Sequence, residues 1–260
     1  MIRNPVNIWL IGDVHGDWTA IRNFYKQHKN ELSSDFRDNV LIILGDFGAN
    51  YFLNQRDENF KDKIEKYPLT YFAIRGNHEQ RPSILEERFP SDWHKELFFN
   101  NIVLSEDKHP RIVYALDEGG DYNINGKSVL IIPGAYSVDK WYRIQNNWSW
   151  FPKEQLSIEE QQKLLNNLKE HYDYILSHTC PFSWQPYICD LFLGQVDQSQ
   201  VDNTMEKFLD QIAENTSWER WYWGHYHDNR DIPMSATMMF HEALPFGMSY
   251  ASYQKHCLNF

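Results

Sequence analysis

An α/β fold is predicted, on three observations. Short apolar runs recur along the chain, five of them end in a residue able to bind a metal, and amphipathic or polar stretches long enough for crossover helices separate the first three. Parallel strands need such crossovers, because a tight turn cannot join them.

In chain order, Val6–Ile11 (VNIWLI) reads as a buried strand running into Gly12-Asp13. Trp18–Leu32 is amphipathic, with Trp18, Ile21, Phe24, Tyr25 and Leu32 near helical spacing. Val40–Leu44 is a second apolar run, ending in Gly45-Asp46, and Thr70–Ile74 a third, ending at Arg75-Gly76-Asn77-His78. The middle of the chain reads differently. Ile112–Ala115, Asp121–Ile124 and Ser128–Ile132 are short strand candidates, and Asn125-Gly126 predicts a hairpin because both turn positions need φ > 0. Ser157 and Glu160 form a capping box for a helix over 158–171. Asp173–Ser177 is a strand delivering His178, Gln200–Glu214 a helix, and Glu219–Trp223 a strand delivering Gly224-His225-Tyr226-His227. Thr237–His241 and Phe246–Ser249 are candidates for closing strands. No repeat, low-complexity segment or interdomain linker interrupts the pattern, so one domain spanning residues 1–260 is expected.

Composition narrows the function. No stretch of about 18 apolar residues is present, and the apolar run near the N-terminus is too short for a signal peptide, so a cytoplasmic protein with no membrane span is expected. Cys180, Cys189 and Cys257 share no metal-binding spacing and do not suggest a disulfide framework. A net charge of −11 gives no indication of a broad nucleic-acid surface. The aromatic content, 16% with ten Trp, is read as core and pocket wall rather than a base-stacking platform.

The five strand-like runs deliver Asp13 and His15, Asp46, Asn77 and His78, His178, and His225 and His227. In open α/β sheets, sites collect at the carboxyl ends of strands. Each piece has a bland alternative: Asp-x-His could cap a helix, Gly-Asp could be a turn, and a lone histidine could be a satisfied core residue. Together they form a set that turns and caps do not explain. Mixed carboxylate, amide and imidazole ligands suit Mn²⁺, Fe or Zn²⁺ better than Ca²⁺, and the lack of thiolates argues against a structural zinc site. Seven ligands exceed the needs of one ion and suit a two-metal centre.

Gly12-Asp13-Val14-His15-Gly16, Gly45-Asp46, Gly76-Asn77-His78-Glu79, His178 and Gly224-His225-Tyr226-His227 together resemble the calcineurin-like metallophosphoesterase superfamily. The first three blocks are most similar to its phosphoprotein phosphatase branch, in the single-domain form of bacteria and phages. The resemblance implies a four-layer αββα sandwich, two mixed sheets flanked by helices, with the dimetal site at the strand-end loops. It also implies that Asp13, His15 and His227 hold one metal, that Asn77, His178 and His225 hold the other, and that Asp46 bridges them. The metals are expected to be manganese, with Fe or Zn as alternatives. A water or hydroxide between them would attack phosphorus, His78 would protonate the leaving group, and Arg75 would bind the substrate phosphate. Arg143, in Ser137-Val138-Asp139-Lys140-Trp141-Tyr142-Arg143, is a candidate second clamp. Residues 135–160 and 181–200 are expected to form a substrate wall or cap, and Cys180 to be a small buried side chain.

The chain departs from that branch at Gly48-Ala49-Asn50, where an acidic residue and an arginine are usual. The carboxylate that would orient His78 must then come from elsewhere, for instance Asp57. The expected substrate is a phosphorylated protein or a small phosphomonoester. The alternatives are a phosphodiesterase, a nucleotide pyrophosphatase or nucleic-acid end-processing phosphatase, and a non-catalytic, metal-stabilised binding module.

Overall fold

The computed structural model describes residues 4–192 and 200–257. The chain first lays down β1 (Asn7–Ile11), α1 (Trp18–His28), β2 (Asn39–Leu44), α2 (Gln55–Ile64) and β3 (Thr70–Ile74). Next come α3 (Pro82–Arg88), the hairpin β4 (Trp93–Phe98) and β5 (Asn101–Glu106), and β6 (Ile112–Tyr114). A second group follows: β7 (Gly120–Ile124), β8 (Lys127–Ile132), α4 (Lys140–Gln145), α5 (Ile158–Asn166), β9 (His171–Ser177), α6 (Thr204–Asn215) and β10 (Ser217–Trp223). The described chain closes with β11 (Arg230–Ile232), β12 (Ala236–Met238), β13 (Leu244–Pro245) and α7 (Tyr250–Cys257).

Two mixed sheets result. One runs β13-β1-β2-β3-β6-β5-β4 and the other β11-β12-β10-β9-β8-β7. In the first, β1, β2, β3 and β6 are mutually parallel; in the second, β8, β9, β10 and β12 are. Side-chain alternation decides what each face of the second sheet meets. Val129, Ile131, Tyr174, Leu176 and Tyr222 join the core shared with Leu41, Ile43 and Phe72 of the first sheet. The alternate residues Leu130, Ile132, Ile175, Trp221 and Trp223 pack under Met205, Phe208, Leu209 and Ile212 of α6. Strands covered on both faces are nearly continuous apolar runs, as the entirely buried β2 shows, with VLIIL following Asn39. The α/β sandwich of two mixed sheets flanked by helices is therefore the observed architecture.

The Asn125-Gly126 hairpin forms as expected, with φ of 52° and 85° and Ile124 opposite Lys127. Several boundaries differ. The capping-box helix ends at Asn166, and β9 begins at His171. The helix expected from Gln200 begins at Thr204, whose amide donates to the Asp202 carboxylate at 3.0 Å. The strand expected at Phe246–Ser249 is instead the two-residue β13, which pairs antiparallel with β1, and α7 follows from Tyr250. The β4–β5 hairpin has no sequence signal. Its polar edge strand alternates poorly, and its turn places Phe99 and Asn100 at φ of 50° and 59°, a conformation ordinarily taken by Asn-Gly.

Candidate metal centre

The ligand loops leave the carboxyl ends of β1, β2, β3, β9 and β10 and meet at one edge of the sandwich. Asp13 is not a helix cap; Asp17 fills that role for α1, accepting from the Thr19 amide at 2.9 Å. The Asp13 carboxylate instead accepts from the His225 backbone N–H at 2.9 Å and lies 3.0 Å from His227 Nε2. His15 Nε2 stands 2.9 Å from His227 Nε2, 3.8 Å from Asp13 and 3.9 Å from Asp46. Asp13, His15 and His227 thus form one cluster of candidate ligands, and His15, Asp46 and His78 a second. Asp46 also lies 3.5 Å from His178 Nε2, which is 2.9 Å from Asn77 Oδ1. His225 stacks edge-on to His178, their ring centroids 5.1 Å apart. All seven sequence-predicted ligands are therefore brought to one place.

Close approach of the loops requires glycine at two positions in particular. A Cβ on Gly45, whose φ is +95°, would lie 1.9 Å from His178 Nδ1. A Cβ on Gly76 would lie 2.0 Å from an Asp46 oxygen. The candidate ligands themselves carry strain. His15, Asp46, His225 and His227 have φ of 49°, 48°, 72° and 54°, in the left-handed region that costs non-glycine residues about 1–3 kcal/mol each. Such strain persists only where surrounding structure imposes it.

The electrostatics suit cation binding. Burial alone would raise Asp13, but its contact with His227 and the charge of His178 bring it below the usual carboxylate range. Burial likewise opposes ionisation of Asp46, while His78 and His178 hold it well below that range. Burial depresses His225 to about 3, with His178 adding to the effect. His178 Nδ1 donates to the Leu44 carbonyl at 2.8 Å, which aims Nε2 at the cluster. Two contacts, His15 Nε2–His227 Nε2 and His178 Nε2–Asn77 Oδ1, each bring two potential ligand atoms within 2.9 Å. A donor set that converges in this way fits divalent cations.

The profile of the calcineurin-like phosphoesterase family matches residues 6–229. The chain belongs to this family. It therefore carries a metallophosphoesterase domain with candidate catalytic metal clusters, and metal-dependent phosphoester chemistry is its general activity. No curated protein matches the sequence. Among solved structures, TT1561 of Thermus thermophilus is similar at 12% identity and TM-score 0.47, covering 91% of this chain and 89% of that one. An archaeal phosphodiesterase is similar at 13% identity and TM-score 0.32, covering 68% of this chain and 73% of that one. Likenesses so slight carry no argument about activity. Among the described residues, no helix is long and apolar enough to cross a membrane.

The two arginines part company. Arg143, on α4, reaches the centre: its guanidinium lies against the His78 ring, and its Nε donates to Asp139 at 2.8 Å. Arg75 does not. Its side chain is buried away from the cluster, with Nη1 donating to the carbonyls of Glu154 at 2.6 Å and Gly76 at 3.1 Å, and Nε 3.4 Å from Asp117. The fork that sequence proximity assigned to phosphate is committed to backbone carbonyls and a buried carboxylate. Asp57 is not the partner of His78 either: it accepts from the amides of Phe52 and Leu53 at 3.0 and 2.7 Å. The carboxylate nearest His78 is Asp46, at 4.0 Å, and Asp139 acts on His78 through Arg143.

The role of Glu79, named in the sequence only as part of its motif, came from the structure. Glu79 is buried and accepts from Gly48 N–H at 2.8 Å, tying the loop after β2 to the loop after β3. Its place directly after Asn77-His78 was the available signal. Cys180 is buried, and burial raises its thiol, which withholds the thiolate that oxidation needs. A third close set, Glu58, Glu106 and His109, is already neutralised, with Lys61 Nζ 2.6 Å from Glu106 and Lys108 on Glu58. A cavity of about 530 Å³ opens from Asp46, Asn77 and His78, walled by Tyr136, Val138, Gln185, Phe192 and Glu206. Residues 193–199, part of the expected 181–200 wall, lie outside the described residues.

Proposed function

We propose that the protein is a phosphomonoesterase in which Arg143 binds the substrate phosphate beside His78. The observation that carries this reading is the placement of Arg143. A guanidinium with a fully buried side chain, anchored by Asp139, is held against the imidazole at the mouth of the metal cluster. A planar fork suits two phosphate oxygens. Asp13, His15 and His227 would hold one metal, Asn77, His178 and His225 the other, with Asp46 between them; manganese is the proposed ion. Bound cations would supply a water of lowered pKa and offset the charge of the phosphate.

His78 is the proposed proton donor to the leaving group. Burial drives its pKa down to about 4, and the charge of Arg143 adds to that against the pull of Asp46. A substrate dianion works against both: its charge offsets that of the guanidinium and favours the imidazolium. The exposed Trp141, Tyr142 and Trp148 beside Arg143 offer an apolar rim for a protein substrate, which supports the phosphoprotein phosphatase assignment and the role of 135–160 as a wall. Manganese-dependent release from p-nitrophenyl phosphate and from its bis-ester tests the proposal. Monoester turnover should be faster, and His78→Ala should abolish most of it without changing metal content.

One observation favours a second reading. With Arg75 withdrawn, Arg143 is the one of the two predicted clamps left at the centre, and one guanidinium suits the monoanion of a phosphodiester. Faster turnover of the bis-ester would select this alternative.

A further inference from the structure

We propose that Ser137 and Glu154 are positioning residues that lock the amide of Asn77 with its oxygen toward the metals. The inference rests on the reading of Asn77 as a ligand. An asparagine side chain is nearly symmetric in shape, so packing alone does not decide whether oxygen or NH₂ faces a site. Here a directed chain of hydrogen bonds decides it. Glu154 Oε2 receives the Ser137 hydroxyl at 2.6 Å and Trp150 Nε1 at 2.8 Å, while its Oε1 receives the Ser137 backbone N–H at 3.0 Å. Burial raises the Glu154 carboxyl, but N–H donors occupy both of its oxygens, so it meets Ser137 as an acceptor. The Ser137 proton is thereby committed to Glu154, and Ser137 Oγ can only accept in its remaining contact. That contact is Asn77 Nδ2, at 2.9 Å. The amide oxygen is left facing His178 Nε2, at 2.9 Å. Asn77, Ser137 and Glu154 are 2%, 1% and 3% exposed, so water does not compete for these bonds. A flipped amide would set its oxygen against an oxygen that has no proton to give.

The same segment is pinned from a second side. Arg75 Nη1 donates to the Glu154 carbonyl at 2.6 Å, and Gly134 N–H donates to the Arg75 carbonyl at 2.9 Å. Residues 134–154, which supply no predicted metal ligand, thus hold the orientation of one.

Metal-stripped protein titrated with Mn²⁺ by calorimetry, with unfolding of the metal-free forms as a folding control, tests the inference. Ser137→Ala should weaken one of the two sites about 10–100-fold, the range expected for an outer-shell partner, and leave the other unchanged. Asn77→Ala should weaken the same site, and adding Ser137→Ala to it should weaken it no further. Wild-type affinity in Ser137→Ala, or losses that add in the double variant, would overturn the proposal. Two unchanged sites in Asn77→Ala would instead overturn the ligand reading beneath it. Should Ser137→Ala not fold, Ser137→Cys, close in shape but a weak hydrogen-bonder, takes its place in the same cycle.

Discussion

Replacing Arg75 with methionine should lower stability and leave substrate affinity nearly unchanged. The side chain is 2% exposed. Methionine retains much of its hydrocarbon but loses the charge and three donations, to the carbonyls of Glu154, Gly76 and Asp117 at 2.6, 3.1 and 3.4 Å. It also strands Asp117, 3% exposed, whose remaining donor is the Ser83 backbone N–H at 2.9 Å. Breaking a buried pair by removing one partner costs about 3–5 kcal/mol. Against a typical total of about 5–15 kcal/mol, that is a large share. At about 2–4 °C per kcal/mol for a chain of this size, Tm should fall by about 6–20 °C. Urea and thermal unfolding followed by tryptophan fluorescence measure this on the metal-free protein, and initial rates with p-nitrophenyl phosphate give KM. Wild-type stability combined with a KM raised tenfold or more would show that Arg75 meets the phosphate after all, and would refute the reasoning.

Three other outcomes are expected. Arg143→Ala should lower kcat/KM about 100-fold or more, because the guanidinium lies against the His78 ring; steady-state kinetics check this, with thermal unfolding as the folding control. Gly45→Ala should abolish metal retention, since the added carbon would sit 1.9 Å from His178 Nδ1, and elemental analysis of the purified variant checks this. Glu206→Gln should change the pH dependence of stability. Burial raises the Glu206 carboxyl to about 7, with its own backbone N–H and then Thr179 opposing, against 4.5 for an ordinary glutamate. A raised acid pKa means that the folded state binds the extra proton, so the stability from this group is full below about 4.5 and is lost as pH rises through 7. The variant should lack that decline, and urea midpoints measured from pH 5 to 8 should then run flatter than in wild type.

The candidate metal ligands were legible in the sequence because local chemistry marks them. Asp13, Asp46, Asn77, His178 and His225 each end an apolar run, and parallel strands carry their carboxyl ends to one edge. Glycines at 45 and 76 belong to the same local code, as they let the loops close on His178 and Asp46. The two-sheet architecture followed from the family resemblance, whereas alternation and turn chemistry announced individual strands such as β2 and the Asn125-Gly126 hairpin. The β4–β5 hairpin stayed hidden because pairing with β6, not its own pattern, holds it in place.

What only the tertiary structure decided is which charged and polar groups face the centre and which support it. Arg75 is adjacent in sequence to the Gly-Asn-His motif, yet its guanidinium turns to Asp117 and Glu154, 42 and 79 residues away. Arg143 lies 65 residues from His78 and touches it. Ser137 and Glu154 carry no motif and still direct Asn77. The physical reason is common to all three. Strand periodicity and turn geometry are local and can be read along the chain. The partner of a buried fork or hydroxyl is whichever acceptor folding places within about 3 Å, and long-range packing sets that distance.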